Sequence, residues 1–233
     1  MKDYSIVRFS CLGTGSSGNC YLLNVGSSNL LLDAGIKIEK ITKAINLNLV
    51  DFAFISHTHK DHSLSEEKLH LRGVPVLRGE LVDDFIKIKK SMDIIEPMNI
   101  YAFPVEHGDC KNAGLIIKTR NECILYITDF TVCKYDLSIF KFTSVIVECN
   151  YLKEKVTDTD LFNRTKENIY RHMSLDGTDL FLSKLDLSNC NEIILTHFSN
   201  DFSDAIYMGS YINNMYKIKT LCCKRFGGYD IYE

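Results

Sequence analysis

The chain is 233 residues long, 45% hydrophobic and 24% charged, ordinary values for a globular protein able to bury a sizeable core. Its formal net charge of −3 argues against gripping a long polyanion over many phosphates, and leaves a small nucleotide or one local patch open. The nine cysteines are odd in number with no CxxC pair, and no segment reads as an export signal or membrane span, so the chain reads as one cytoplasmic domain, 1–233, with reduced thiols and no membrane partner.

SIVRFSCL, CYLLNVG and NLLLDAG read as strands, separated by the turn signals GTGSSGN and GSS. Residues 37–46 read as a helix, and DFAFIS as a buried strand that runs into HTHKDHS. GVPVLRG is a strand, and ELVDDFIKIKK an amphipathic helix with its basic residues at the end. NIYAFPV, GLIIKTR, CILYITD and SVIVECN follow as strands, the middle two a hairpin through residues 119–122. Residues 158–171 and 175–185 read as helices, EIILTH as a strand, and 201–215 as a last helix. Strands dominate early, and strand and helix alternate later. That pattern suggests two sheets covered by helices, a four-layer α/β arrangement.

One short loop holds His57, His59, Asp61 and His62. Neither a core nor a solvated face has a use for so many polar rings. Metal coordination does, because imidazole nitrogens and carboxylate oxygens are ligands for zinc and similar cations. Further sharp polar residues stand at strand ends: His107 after YAFPV, Asp129 after ILYIT, His197 after IILT. Strand ends converge on one edge of a sheet sandwich, so the loop reads as half of a metal site completed by later strands. His70, in a helical segment without a partner, reads as a surface residue. GTGSSGN reads as a tight turn, although its backbone N–H groups could cradle a phosphate. The KIKK and KIKT…CCKR runs read as solvated faces, with rimming of a nucleotide pocket as the alternative.

HTHKDH, followed in order by His107, Asp129 and His197, resembles the HxHxDH signature of the metallo-β-lactamase superfamily. LLLDAG resembles that superfamily's strand-end aspartate, here Asp33. SCLGTGSSGNCYLL, RHMSLDG and LTHFSND resemble a narrower branch, the WalJ/YycJ-like and PhnP-like phosphodiesterases related to ribonuclease Z. The resemblance thus runs from about Phe9 to Asp204. It implies a four-layer αββα sandwich, a homodimer, and two divalent cations per chain, Zn²⁺ or Mn²⁺. His57, His59 and His107 would bind one cation, Asp61, His62 and His197 the other, and Asp129 would bridge them. His172 falls where relatives place a histidine beside the substrate. Two positions depart from the pattern: Phe130 stands where a smaller residue is expected, and Arg171 where many relatives have glycine. Both bear on the shape of the pocket.

The chemistry fits on its own terms. Two cations roughly 3.5–4 Å apart clamp a bridging hydroxide and the attacking and leaving oxygens of a phosphoryl displacement. Asp61 would orient the hydroxide, and His172, with an unperturbed pKa of about 6.5, would protonate the leaving alkoxide. Nothing in the chain resembles the large inserted domain of β-CASP nucleases, the long arm of transfer-RNA processing enzymes or the extra helical region of glyoxalase-like thioesterases. The expectation is a compact phosphodiesterase acting on a nucleotide, cyclic nucleotides included, or on a nucleic-acid end. The alternatives are a DNA exonuclease like the WalJ/YycJ-like relatives, and a non-catalytic metal-binding interaction domain, against which the full ligand set argues.

Overall fold

The computed structural model describes residues 7–88, 98–157, 169–224 and 228–232. β1 (Val7–Gly13), β2 (Cys20–Val25), β3 (Ser28–Leu32), β4 (Phe52–Ile55) and β5 (Val76–Arg78) form one sheet in that order. The β1–β2 and β2–β3 pairs are antiparallel, whereas β3, β4 and β5 run parallel. The second sheet holds β6 (Ile86–Ile88), β7 (Asn99–His107), β8 (Cys110–Lys118), β9 (Cys123–Ile127), β10 (Ser144–Glu148), β11 (Glu192–Thr196), β12 (Lys219–Lys224) and β13 (Gly228–Tyr232). Its strands from β9 to β12 are parallel. The helices are α1 (Ile38–Ala44), α2 (Lys60–Ser63), α3 (Glu66–His70), α4 (Leu175–Leu182) and α5 (Ala205–Tyr216).

Successive side chains of a strand face opposite ways, so a strand buried on both faces feeds two cores. Phe52 and Phe54 of β4 meet Ile124, Tyr126, Ile146 and Ile194 between the sheets. Their neighbours Ala53 and Ile55 pack outward against Ile38, Ile41 and Leu69 of α1 and α3. On the far side Leu125, Val145, Val147 and Leu195 pack against Leu182, Met208 and Ile212 of α4 and α5. Three apolar layers therefore separate four layers of structure, and the fold is an αββα sandwich. Tyr211 and Tyr216 of α5 donate to the Asp179 carboxylate at 2.9 and 2.7 Å, which locks the two outer helices together. Among the described residues no helix is long and apolar enough to cross a membrane, and no cysteine is in a disulfide.

Two expectations change. ELVDDFIKIKK does not form a helix: residues 79–81 make a 3-10 turn and Ile86–Ile88 pairs antiparallel with β7. The apolar spacing is instead used by Phe85, whose ring stacks on Phe103 at 5.8 Å and lies beside Tyr101, Tyr135 and Phe140. The KIKT…CCKR run is no solvated face, because β12 joins β11 and buries Leu221, Cys222 and Cys223. The expected helix over 158–171 lies outside the described residues apart from a 3-10 turn at Ile169–Arg171, as does the KK end of KIKK. The hairpin through 119–122 forms, with Thr119 N donating to Glu122 O at 2.9 Å, and His70 is exposed at the end of α3.

Gly35, just past β3, marks where the GTGSSGN turn, the β3 end and the histidine loop close on one another. Its backbone N donates to Asn19 O, and Asn19 N donates to Asp61 O. A Cβ on Gly35 would lie 1.7 Å from Asp61 O. Gly35→Ala is expected to destabilise the protein by about 2–3 kcal/mol, measured as a fall in the urea midpoint; an unchanged midpoint would show that the junction yields freely.

Candidate metal and catalytic site

The carboxyl ends of parallel strands open on one edge of the sandwich, the place where open α/β sheets hold ligands. Asp33 follows β3, Ser56 and His57 follow β4, Asp129 lies just beyond β9, Glu148 ends β10, and His197 follows β11. His107 ends β7 and reaches the same edge. Asp33, Asp129 and His197 have φ of 58°, 50° and 57°. Side chains rarely adopt this left-handed backbone, which costs about 1–3 kcal/mol per residue and persists only when the surroundings hold it. The bracing is visible. Asn112 Nδ2 donates to the carbonyls of Thr128 and Asp129 at 2.8 and 2.6 Å. Thr14 Oγ1 accepts from His197 N at 3.0 Å, and Asn150 Nδ2 donates to His197 O at 2.6 Å.

His62 shows how the site sets a tautomer. Its Nδ1 lies 2.7 Å from Asp33 Oδ2, so Nδ1–H donates there, and in the neutral ring Nε2 carries the lone pair. Asn19 Nδ2 lies 2.9 Å from that Nε2, its own Oδ1 accepting from Gly15 N and Tyr21 OH. The GTGSSGN loop is thus a tight turn that braces the histidine loop. His62 Nε2 also faces Asp129 Oδ2 at 3.3 Å and Asp61 Oδ2 at 3.5 Å.

Among the described residues three groups of side chains could each hold a cation, with ligand atoms within 4.8 Å of one another, and two of them include the loop histidines. One is His57, His59, His107 and Asp129; the other is Asp61, His62, Asp129 and His197. They share Asp129. The donor set fits such an ion on this structure's own evidence. His197 Nε2 is buried without a hydrogen-bond partner among the described residues, 3.4 Å from Asp129 Oδ1 and 3.5 Å from Asp61 Oδ2. His57 Nε2 and His107 Nε2 both turn toward His59 Nδ1, at 2.9 and 3.3 Å, so three imidazole nitrogens crowd one point. Nitrogen and carboxylate donors in this mixture suit a divalent transition-metal cation.

The charges agree. Burial, followed by the nearby His62, pushes the pKa of His57 down to about 2. Burial also opposes a charge on His62 and His197, but the surrounding carboxylates win. Asp129 and Asp33 hold His62 well above its ordinary value, and Asp129, Asp61 and Glu148 hold His197 at about 10. Asp129 is fully buried, yet His197, His62 and His172 keep its carboxyl well below the usual range. Dense negative charge in a buried pocket is the complement of a divalent cation.

A further cluster joins Asp129 and His197 to Glu148 and His172. Glu148 Oε1 accepts from His172 Nδ1 at 2.6 Å and lies 3.1 Å from His197 Nδ1, while Oε2 accepts from Phe130 N at 3.2 Å. Sequence reasoning missed Glu148, although the strand-end signal that picked out its neighbours was present in SVIVECN. The structure brings His57, His59, Asp61, His62, His107, Asp129, His172 and His197 together. Phe130 does not narrow the pocket: its ring packs edge-on to Phe181 in the outer core, 5.0 Å between centroids. Arg171 contributes its carbonyl, which accepts from His107 Nδ1 at 3.1 Å.

The whole architecture superposes on the metallo-β-lactamase fold protein YhfI from Bacillus subtilis, with a TM-score of 0.71 over 95% of this chain and 98% of that one, at 15% identity. The chain has the metallo-β-lactamase fold. Two further structures share it. A diphosphatase from the PhnP family matches with a TM-score of 0.60 at 14% identity, over 97% of each chain. Human tRNase Z, short form, matches with a TM-score of 0.60 at 14% identity, over 82% of this chain and 93% of that one. By sequence, the exodeoxyribonuclease WalJ of Streptococcus pneumoniae is 32% identical over 94 residues, 38% of this chain and 32% of that protein. A probable RNase, MJ4, of Methanocaldococcus jannaschii is 36% identical over 116 residues, 46% of this chain and 26% of that protein. The chain therefore spans a third or less of the length of these curated relatives. No protein-family profile matches it.

In this example of the metallo-β-lactamase fold, Asp33 touches no candidate cation position itself; it acts through His62. Asp33→Asn is expected to weaken the binding of Zn²⁺ or Mn²⁺ about 10–100-fold in calorimetric titration, because the ring loses its fixed orientation. Unchanged affinity would show that Asp33 is only structural.

Proposed function

We propose that this protein is a two-metal phosphodiesterase acting on a nucleotide, cyclic nucleotides included, or on a nucleic-acid end. The observation behind this reading is one geometry: two ligand groups sharing Asp129, with the Glu148–His172 pair directly beside them. His57, His59 and His107 would hold one cation, Asp61, His62 and His197 the other, and Asp129 both. Bound there, divalent cations supply a water-derived nucleophile near neutral pH and neutralise charge building on phosphoryl oxygens.

The chain's own groups supply the rest. Asp61, its side chain partly open at the mouth, accepts a hydrogen bond from the attacking water and orients it. His172 stands at the mouth with its Nδ1–H committed to Glu148, which leaves Nε2 to protonate the departing oxygen. Burial works against a charge on His172, but Glu148 and Asp129 shift its pKa above the ordinary value, the direction a general acid needs. A cation-binding domain without chemistry has no need of this pair, because Glu148 buries a charge to position a ring outside the two groups that contain the loop histidines. Relatives named as an exodeoxyribonuclease, an RNase, a tRNase and a diphosphatase support a substrate with a phosphoryl linkage. Turnover of a panel spanning cyclic nucleotides, dinucleotides, and single- and double-stranded DNA and RNA tests the reading and selects the substrate.

Elemental analysis of the purified protein is expected to find close to two divalent cations per chain, and Asp129→Ala to weaken both. Absence of metal, with none taken up on reconstitution, would overturn the two-metal reading. His172→Ala is expected to lower turnover of alkoxide-leaving substrates by about 10²–10⁴-fold with metal content intact, and Glu148→Gln to act in the same direction. The loss should shrink with p-nitrophenolate, which departs without a proton. Equal slowing of both substrate types, or loss of a cation, removes the acid role.

A further inference from the structure

A recess of about 540 Å³ adjoins the site on the side of His59, and Glu80, Leu81, Asp109, Lys111 and Arg171 line it. That volume falls within the ordinary range for small-ligand sites, roughly 300–1,000 Å³. Arg171 is the residue before His172, and its side chain lies across Gly108. A Cβ on Gly108 would come within 3.0 Å of Arg171 Nε and 3.1 Å of Cζ, so the glycine leaves the plane of the guanidinium room to rest there. Its nearest carboxylate in the recess, Asp109, is 4.0 Å away and fully exposed. A pair of that kind is worth little, and it leaves the guanidinium available. Lys111 is turned aside in a 2.7 Å pair with Asp83.

The charges of the wall decide what it suits. Asp83 already answers Lys111, and Glu80 and Asp109 offset Arg171, so a second phosphate gains little there. A flat, neutral, hydrogen-bonding ring gains more. The guanidinium offers it a stacking plane, the carboxylates accept its N–H groups, and Leu81, 70% exposed, offers apolar contact. Such a ring is what remains of a nucleotide once its phosphate lies among the histidines. We propose that this recess is a nucleoside subsite and that Arg171 is the specificity-determining residue that holds the base; the proposal rests on the phosphodiesterase reading above.

Calorimetric titration of the metal-loaded protein with adenosine 5′-monophosphate and with methyl phosphate tests it without turnover. The wild-type protein is expected to bind the nucleotide about tenfold more tightly than methyl phosphate. Arg171→Ala is expected to bring the two within about threefold. Arg171→Lys, which keeps the charge and loses the plane, is expected to behave as the alanine variant does. No preference in the wild type, a preference that survives Arg171→Ala, or an equal weakening of both ligands would overturn the subsite. Hydrolysis of bis(p-nitrophenyl) phosphate, measured alongside, reports on the phosphodiesterase reading alone. A protein inert toward that diester yet selective for the nucleotide through Arg171 keeps the subsite and loses the reaction.

Discussion

A buried carboxylate with a full set of donors organises this edge of the molecule. Asp33 has no solvent exposure and accepts from Ser56 N at 2.7 Å, Ser56 Oγ at 3.1 Å, His62 Nδ1 at 2.7 Å and Tyr126 OH. Burying a charge is costly unless it is fully hydrogen-bonded, so each donor is constrained to stay. Tyr126 belongs to the second sheet, and Asp33 and Ser56 to the first. The carboxylate therefore fastens the two sheets together where the ligands meet, and it fixes the tautomer of His62 in the same contact. Folding and site assembly share one set of bonds.

Beyond Asp33 the edge is held by paired constraints. Asp129 and His197 keep left-handed backbone because Asn112, Thr14 and Asn150 hold the peptide groups around them. The acidic groups Asp33, Asp61, Asp129 and Glu148 meet a ring of imidazoles whose pKa values diverge, His57 pushed down and His62 and His197 pushed up. The negative charge that protonates two rings in one circumstance can be met by a cation in another. Ligation requires those rings to be neutral, so protons leave as a cation enters. Glu148 extends the logic outward, since one buried carboxylate serves both His197 and His172.

Arg171 illustrates how a departure from a family pattern acquires meaning from its surroundings. Glycine there would supply the same carbonyl to His107 and nothing more. The arginine keeps that bond and adds a planar cation over Gly108, beside a charge-balanced recess. Phe130, the other departure, has no such consequence, because its ring turns into the outer core and its backbone N–H serves Glu148.

Much of the site was legible from residue order alone. HTHKDH crowds ligands into one loop, and the apolar runs FAFI, ILYI and IILT each stop at a polar residue, so convergence on one sheet edge follows from strand geometry. The doubly buried strands were equally plain, because their runs are too short and too apolar for surface helices. Tertiary structure decided what depends on a partner distant in sequence. The stretch after Gly79 has helical spacing, but the free edge of β7 and the aromatic cluster around Phe85 draw it into a strand. LCC becomes buried sheet only because β11 stands ready beside it, and Glu148 becomes part of the site only when His172 and His197 arrive from separate segments. Periodicity reports which face of a segment is buried; it carries no information about the partner that buries it, and that partner alone settles the outcome.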